Sequence, residues 1–163
     1  MDILRETGET AGGIIARYDE THTILREVAH RRRNATLRIY QPEATVAFGR
    51  RDELNPGFAQ AVTACKNMVF NVLVRKVGGH AAAYHPGCLV IDHFQPADDA
   101  KTGSNLRYKL FGELFARALQ DVGVDAAVGE IPGEYCPGEF SVHARLGGER
   151  AGERIKLVGT AQR

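Results

Sequence analysis

The sequence lacks three features that would point to particular classes of protein. It has no excess of one charge, since 21 Lys and Arg face 20 Asp and Glu, whereas nucleic-acid-binding and membrane-surface proteins usually carry a basic excess. It has no apolar run near the roughly 20 residues that a transmembrane helix needs. Its three cysteines, Cys65, Cys88 and Cys136, are an odd number without zinc-type pairing, which disfavours a disulfide scaffold.

The remaining composition is that of an ordinary globular protein. Hydrophobic residues make up 44% and charged residues 25% of the 163 residues, which suits one domain with a sizeable core. The first residues, from Met1 to Glu6, show neither the charged nor the apolar region of a signal peptide. We therefore expect a single cytoplasmic domain over residues 1–163, with neither nucleic acid nor a membrane as a partner.

Apolar periodicity predicts two long helices. The first runs from about Ala11 to His30, and a basic run ending at Arg33 follows it. The second runs from Asn105 to Val122, with Ser104 as its expected cap. Its expected inner stripe is Leu106, Leu110, Leu114, Ala118 and Val122, widened by Phe111, Phe115 and Leu119.

Strand patterns fill most of the chain between these helices, with one short helix predicted over Phe58 to Lys66. The strand candidates are Thr36 to Tyr40, Ala44 to Phe48, Val69 to Val77, Cys88 to Phe94, Ala126 to Val128, and a hairpin of Phe140 to Arg145 with Arg154 to Val158. Because helices and single strands do not alternate strictly, this order predicts an α+β fold with a mixed or antiparallel sheet and flanking helices.

The first segment with chemical potential is the Gly49-Arg50 pair at the end of a predicted strand. Glycine allows a close approach of the backbone to a ligand, and arginine offers a fork that suits a carboxylate or a phosphate. A salt-bridged turn explains the pair about as well.

The second segment runs from Arg75 to Gly87 and contains paired glycines, Gly78 and Gly79, before three alanines. Paired glycines expose backbone N–H groups to an anion, and small side chains leave space above a sheet, although a β-bulge or hairpin is the plainer explanation. His80 and His85 lack accompanying ligands at metal spacing. Structural or substrate-lining histidines are therefore expected.

The third segment places Lys156 inside the apolar strand Arg154 to Val158. Burying an ammonium costs free energy unless an anion meets it. The alternative is an edge-strand lysine that prevents aggregation.

Taken in order, these segments resemble the lipoate-protein ligase A family, within the biotin/lipoyl ligase and octanoyltransferase superfamily. Gly49-Arg50 matches the family's early Gly-Arg pair, and Arg154 to Ala161 matches its Gly-Arg-Lys-Ile-x-Gly-Ser-Ala stretch. The family's Arg-Arg-x-Gly-Gly-Gly-x-x-x-His-x-x-Gly segment is matched at Arg75, Lys76, Gly78, Gly79 and Gly87. The resemblance begins at about Leu37.

The sequence also departs from the family's pattern. His80 replaces the third glycine, and Tyr84 stands where the family has histidine, with His85 one residue later. We expect a differently shaped acyl pocket. Family members usually continue through further strands and helices after the lysine motif, so a C-terminally shortened member is expected. No biotin-ligase glycine-arginine motif is present, which disfavours biotin.

The resemblance implies an enzyme that activates lipoate with ATP and Mg²⁺ to lipoyl-AMP and then transfers the lipoyl group to a lysine. The acceptor would be a lipoyl carrier domain, either the E2 component of a 2-oxoacid dehydrogenase or the glycine cleavage H protein. Lys156 would be catalytic and would share a pocket with Gly78 and Gly79. The implied substrate-binding residues are Arg50, Arg75, Gly78, Gly79, His80, Ala81, Tyr84, His85, Gly159, Thr160 and Ala161.

Two alternatives to the ligase remain open. The first is an octanoyltransferase, which needs no ATP and in some branches forms a thioester on cysteine. Cys136 is the candidate nucleophile, because it lies on the glycine- and proline-rich loop from Ile131 to Gly138 shortly before Lys156, where a neighbouring ammonium favours a thiolate. The second is a non-catalytic subunit that keeps the fold.

Overall fold

The computed structural model of the chain describes residues 1–8, 12–99 and 102–162. The chain divides into two compact units, Met1–Asp98 and Asp99–Arg163. Each unit has its own sheets and its own buried cluster, so each is described by itself.

The first unit contains two three-stranded sheets. Its elements are β1 (Asp2–Glu6), α1 (Gly13–Ala29), β2 (Thr36–Tyr40), β3 (Thr45–Phe48), α2 (Arg50–Glu53), α3 (Phe58–Asn67), β4 (Asn71–Val74), β5 (Ala82–Tyr84) and β6 (Val90–Phe94). One sheet has the order β1-β2-β6 and the other β4-β3-β5. In each sheet the middle strand is parallel to one neighbour and antiparallel to the other. The sequence patterns missed β1, α2 and β5.

Helix α1 packs against both sheets through its apolar side chains. Ile14 joins a buried cluster with Ala47 and Leu73, whereas a second cluster holds Ile24, Val28 and Phe94. The helix is shorter than its predicted span, and the predicted first residue, Ala11, lies outside the described residues.

The strand predicted over Val69 to Val77 is limited to β4. Val69 has a φ of 61°, in the left-handed region that a β-branched residue adopts only under constraint, and its side chain is exposed. The chain therefore turns at Val69 before the strand begins.

The second unit packs one helix on one antiparallel sheet. Its elements are α4 (Ser104–Asp121), β7 (Ala126–Val128), β8 (Val142–Arg145), a 3₁₀ turn (Gly148–Arg150) and β9 (Arg154–Val158). The strand order is β7-β8-β9, so β9 lies at an edge of this sheet. With mixed sheets in the first unit and an antiparallel sheet here, the predicted α+β class is confirmed.

The predicted inner stripe of α4 is wrong for its leucines and right for two of the residues that were expected to widen it. Leu106, Leu110 and Leu114 are 71%, 58% and 52% exposed, whereas Gly112 and Ala116 are buried, and Phe115 and Leu119 pack against the buried cluster. A Cβ atom at Gly112 would lie 3.4 Å from a methyl group of Val128. The helix therefore approaches its sheet through small residues.

The predicted cap of α4 is also wrong. The N-cap is Gly103 in a left-handed conformation, with no side-chain cap. Ser104 is instead the first helical residue, and its Oγ accepts a hydrogen bond from Gln162 Nε2 at 3.1 Å.

All three cysteines are free and half-buried. Within residues 1–8, 12–99 and 102–162, no helix is both long enough and apolar enough to cross a membrane.

Candidate functional site

The side chain of Lys156 leaves the edge strand β9 and ends in a polar cluster of the second unit. Its Nζ donates to the carbonyl oxygen of Cys136 at 2.9 Å and lies 3.0 Å from Glu134 Oε2. The lysine side chain is 31% exposed, so the ammonium is partly removed from water and meets an anion. That anion, Glu134, is one that sequence reasoning did not assign to Lys156.

Glu134 is nearly enclosed, with a side chain 6% exposed. Its Oε1 accepts hydrogen bonds from the backbone N–H of Gly138 at 2.8 Å and from Ser141 Oγ at 3.3 Å. Burial acts to raise the pKa of the Glu134 carboxyl, but the hydrogen bonds from Lys156, Gly138 and Ser141 outweigh it and lower that pKa. Glu134 is therefore ionised at neutral pH.

The loop from residue 131 to residue 138 brings Cys136 to Lys156. Within it the N–H of Glu134 donates to the carbonyl oxygen of Ile131 at 3.1 Å, and just after it the N–H of Ser141 donates to the carbonyl oxygen of Gly138 at 2.9 Å. Cys136 is half-buried at the middle of the loop. The strand that carries Lys156 and the loop that carries Cys136 thus meet at the carbonyl oxygen of Cys136.

The three residues after β9 differ in their contacts. A Cβ atom at Gly159 would lie 3.5 Å from Lys156 Cε, so this glycine lies beneath the lysine stem. Thr160 is half-buried and Ala161 is exposed.

His143 is a second residue that sequence reasoning missed. It pairs with Lys156 across β8 and β9 and is 2% exposed. No side chain or backbone group among the described residues hydrogen-bonds to its Nδ1. A lone histidine in a short strand carries no sequence signal that separates it from a core residue.

In the first unit, the Gly-Arg pair and the paired glycines come together. A Cβ atom at Gly49 would lie 2.3 Å from the carbonyl oxygen of Gly79, so only glycine fits at this position. Asp52 joins the two segments, because its Oδ2 accepts from the N–H of Gly49 at 2.7 Å and its Oδ1 lies 3.4 Å from His80 Nδ1. Sequence reasoning missed Asp52, although it follows Gly49 by three residues, the spacing at which a carboxylate accepts from the N–H of a helix N-cap.

The cations of this region have different surroundings. Arg75 is half-buried and donates through Nη2 to the carbonyl oxygen of His80 at 2.6 Å. Arg50 is 73% exposed and pairs with Glu53 within the short helix α2. Gly78 stands in open space, with no atom within 4 Å of a Cβ placed there.

The residues after the glycines form β5 and a tight turn. Ala82 pairs with Ala47 in the sheet, and Ala81 precedes this strand in a half-buried position. Burial raises the pKa of Tyr84, which packs against the first unit's core. His85 Nδ1 accepts from the N–H of Gly87 at 2.9 Å, so its ring closes a turn.

The described residues do not fit a protein-bound Mg²⁺ ion. No cluster of three or more His, Cys, Asp or Glu side chains that could hold a metal ion occurs in the described part of the chain.

Comparison with known proteins places this arrangement in a family. The family described as "Lipoyl protein ligase A/B catalytic domain" matches residues 18–163, which include both the glycine segment and the Lys156 loop. The chain belongs to the lipoyl protein ligase A/B catalytic domain family. This match confirms the resemblance to the lipoate-protein ligase A family that the sequence motifs indicated.

Two curated proteins that are similar to this chain are named as transferases. The chain is 29% identical over 130 residues to an octanoyl-[GcvH]:protein N-octanoyltransferase of Geobacillus kaustophilus, a match covering 80% of the chain and 43% of the relative. It is 27% identical over 122 residues to a lipoyl-[GcvH]:protein N-lipoyltransferase of Listeria monocytogenes, covering 74% and 43%. The matched region thus spans less than half of each relative.

Solved structures confirm the fold of the family. A crystal structure of lipoate-protein ligase A bound with ATP has a TM-score of 0.66 and 21% identity, covering 88% of this chain and 57% of that one. A T. acidophilum protein with bound lipoic acid has a TM-score of 0.62 at the same identity and coverage.

Proposed function

We propose that this chain transfers a medium-chain acyl group, octanoyl or lipoyl, between carrier proteins. Cys136 is the nucleophile that carries the acyl group between the two transfers, and Lys156 stabilises the negative charge that develops. The observation that carries the proposal is the 2.9 Å hydrogen bond from Lys156 Nζ to the carbonyl oxygen of Cys136. It puts a fixed ammonium beside the cysteine of a glycine- and proline-rich loop.

The chemistry consists of two acyl transfers. In the first, the sulfur of Cys136 attacks the acyl carbonyl, a C–S bond forms, and the donor's amine leaves with the proton that the thiol gives up. In the second, the acceptor lysine's amine attacks the thioester, an amide forms, and the thiol is restored. Both steps place negative charge on the carbonyl oxygen, which the ammonium of Lys156 can stabilise.

The names of the curated relatives support the identity of the donor. Their names describe N-octanoyl and N-lipoyl transfer from GcvH to a protein. We therefore propose an octanoylated or lipoylated glycine cleavage H protein as the donor. A lipoyl domain of a 2-oxoacid dehydrogenase E2 component is the proposed acceptor.

The direct test is a search for the acyl-enzyme. The chain is incubated with octanoylated H protein, and the Cys136 peptide is examined by mass spectrometry for an adduct that hydroxylamine removes. We expect the adduct in the wild type and in Cys65→Ser, since Cys65 is a half-buried cysteine outside the loop, and its loss in Cys136→Ser. Activity retained in Cys136→Ser without any adduct would refute the transferase route.

A second candidate is the ATP-dependent lipoate ligase. It is supported by the likeness to an ATP-bound lipoate-protein ligase A and uses lipoate as substrate. ATP–pyrophosphate exchange with free lipoate separates the two, because only the ligase releases pyrophosphate. Absence of both activities would favour a non-catalytic subunit.

The glycine segment is proposed as a substrate-binding element of the first unit, together with Arg50, Arg75, His80, Ala81, Tyr84 and His85. Gly78→Ala tests it, because neither backbone conformation nor a neighbouring atom opposes a methyl group there. We expect KM for the acyl donor to rise several-fold with folding intact. Gly147→Ala is the matched control, since Gly147 is equally open. Gly159, Thr160 and Ala161 remain proposed contacts in the second unit.

A further inference from the structure

The carboxylate of Glu134 contacts both parts of the second unit's site. One oxygen, Oε1, accepts from Gly138 and Ser141 and thereby closes the loop that carries Cys136. The other oxygen, Oε2, lies 3.0 Å from Lys156 Nζ. One side chain, 6% exposed, therefore joins the position of the lysine to the conformation of the cysteine loop.

This link matters because a lysine side chain is a poor positioning device by itself. Its four-carbon stem has many rotamers, and its ammonium is a point charge without the fixed geometry of a guanidinium. Lys156 is fixed by two acceptors, Glu134 Oε2 and the carbonyl oxygen of Cys136, and both belong to the same loop. Without Glu134, a single backbone acceptor would remain to hold the amine.

The geometry also defines what the ammonium has left to offer. An ammonium carries three N–H donors, and among the described residues Lys156 makes one hydrogen bond, to the carbonyl oxygen of Cys136, and one ion pair, with Glu134. At least one donor is therefore available for a new acceptor, and the side chain is 31% exposed. A donor held in place before the reaction is the arrangement that stabilises a developing oxyanion at little reorganisation cost.

We infer that Glu134 is the positioning residue of the acyl-transfer site, which orients the ammonium of Lys156 so that its third N–H meets the acyl carbonyl oxygen. The inference rests on the proposed function. Glu134 acts through Lys156 and does not itself contact the substrate. Its ionised state, maintained by its three donors, supplies the charge that holds the lysine.

The test uses Glu134→Gln in the full chain. The amide oxygen of glutamine can still accept from Gly138 and Ser141, while its NH₂ group faces the Lys156 amine as a second donor. The loop should therefore stay folded while the lysine is released. We expect kcat for acyl transfer to fall about a hundredfold, the scale for losing one preorganised donor, with KM unchanged. Glu139→Gln, an exposed carboxylate of the same segment, should retain the wild-type kcat.

A double-mutant cycle distinguishes positioning from a structural role. If Glu134 acts through Lys156, Glu134→Gln should cost nothing further in a Lys156→Ala background. An equal loss of kcat in both backgrounds would overturn the inference, as would a wild-type or higher kcat in the single variant. Glu134→Asp, which keeps the charge, should recover part of the rate.

A readout without turnover separates this inference from the proposed function. Acetic anhydride labels free amines, and peptide mass spectrometry gives the labelling rate of Lys156. We expect faster labelling in Glu134→Gln than in the wild type or in Glu139→Gln, because the amine loses its ion pair. If the wild type transfers no acyl group, the proposed function fails, and an unchanged labelling rate would still refute the positioning role of Glu134.

Discussion

Arg38 and Lys156 both meet carboxylates at sites partly or fully removed from solvent, and they differ in how many of their N–H donors remain unused. Arg38 of β2 is fully buried. All five of its guanidinium N–H groups donate: to both oxygens of Glu6, to Glu20, to Thr21 Oγ1 and to the carbonyl oxygen of Arg17. The Arg38 cluster thereby ties β1 and α1 to β2, and it leaves no donor for a ligand.

Lys156 is the contrasting case. It is half-buried, and its two acceptors lie on one loop within the same unit. Buried charges are strongly destabilising when a partner is removed, whereas a partly exposed ammonium can exchange acceptors at little cost. We call the Arg38 cluster closed, because every N–H of its guanidinium already donates and the cluster holds strands together. We call the pair of Lys156 and Glu134 the open cluster, because its ammonium can still donate to a substrate oxygen.

The largest effect on stability is expected from removing Arg38 from its cluster. Arg38→Met leaves Glu20 without its cation and Glu6 with Arg17 alone, and it should lower the free energy of unfolding by about 3–5 kcal/mol. Urea denaturation of the variant and the wild type measures this loss of unfolding free energy. Arg33→Met is the control, because Arg33 and Glu27 form a half-exposed pair whose loss should cost about 0–1 kcal/mol. Equal losses in the two variants would contradict the comparison.

The second-largest expected effect is a pH dependence of the protein's stability, caused by Asp92 beside Arg38. Burial raises the pKa of Asp92 to about 6, although Arg38 acts in the opposite direction. Groups from three elements face it: Arg38 of β2, Thr21 of α1 and Glu6 of β1. Folded Asp92 keeps its proton to higher pH than the unfolded chain does, so stability falls as pH rises from about 4 to about 6.

Asp92→Asn tests this dependence by urea denaturation across that pH range. The difference in unfolding free energy between variant and wild type should change by at most about 3 kcal/mol, in favour of the variant at higher pH. Asp125→Asn, with an exposed carboxylate, should show no such trend. Parallel curves for the Asp92 variant and the wild type would exclude the shift.

The open cluster should respond more in activity than in stability. Lys156→Ala removes the ammonium beside Cys136 and should lower acyl transfer by about a hundredfold. The midpoint of thermal unfolding should fall less than in Arg38→Met, because the enclosed carboxylate of Glu134 keeps its hydrogen bonds from Gly138 and Ser141. Lys109→Ala, which removes an exposed cation of α4, should transfer at the wild-type rate. Wild-type turnover without Lys156 would leave it an edge-strand lysine.

Much of the fold could be predicted from the sequence, and the errors have physical causes. The two long helices and most strands were found because their apolar periods are clear. On α4, however, two faces are apolar, and leucine spacing selected the wrong one. Gly112 and Ala116 decide the packing, since small residues let the helix approach β7 closely.

The residues of the candidate site could be proposed from the sequence only where a single residue type suggests the chemistry. A lysine inside an apolar strand and a cysteine on a glycine-rich loop are visible in the sequence. Glu134 was missed, because a carboxylate on a polar segment gives no signal until the fold brings it to Lys156. Asp52 was missed although its spacing from Gly49 suits a contact with the first turn of a helix. The strand β5 was missed because Ala82 and Ala83 have little strand propensity.

The smallest effect concerns which of the contacts of Glu134 matters for transfer. Ser141→Ala removes the longer hydrogen bond to Oε1, at 3.3 Å, and leaves both the Gly138 contact and the ion pair to Lys156 in place. Loss of one such bond should cost about 1 kcal/mol or less in stability, equivalent to at most a roughly fivefold change in rate. Steady-state transfer kinetics measured beside Glu134→Gln give the comparison. If positioning of the lysine is what Glu134 contributes, the serine variant should retain most of its kcat. A loss as large as that of Glu134→Gln would mean that loop order, and not the ammonium, limits the reaction.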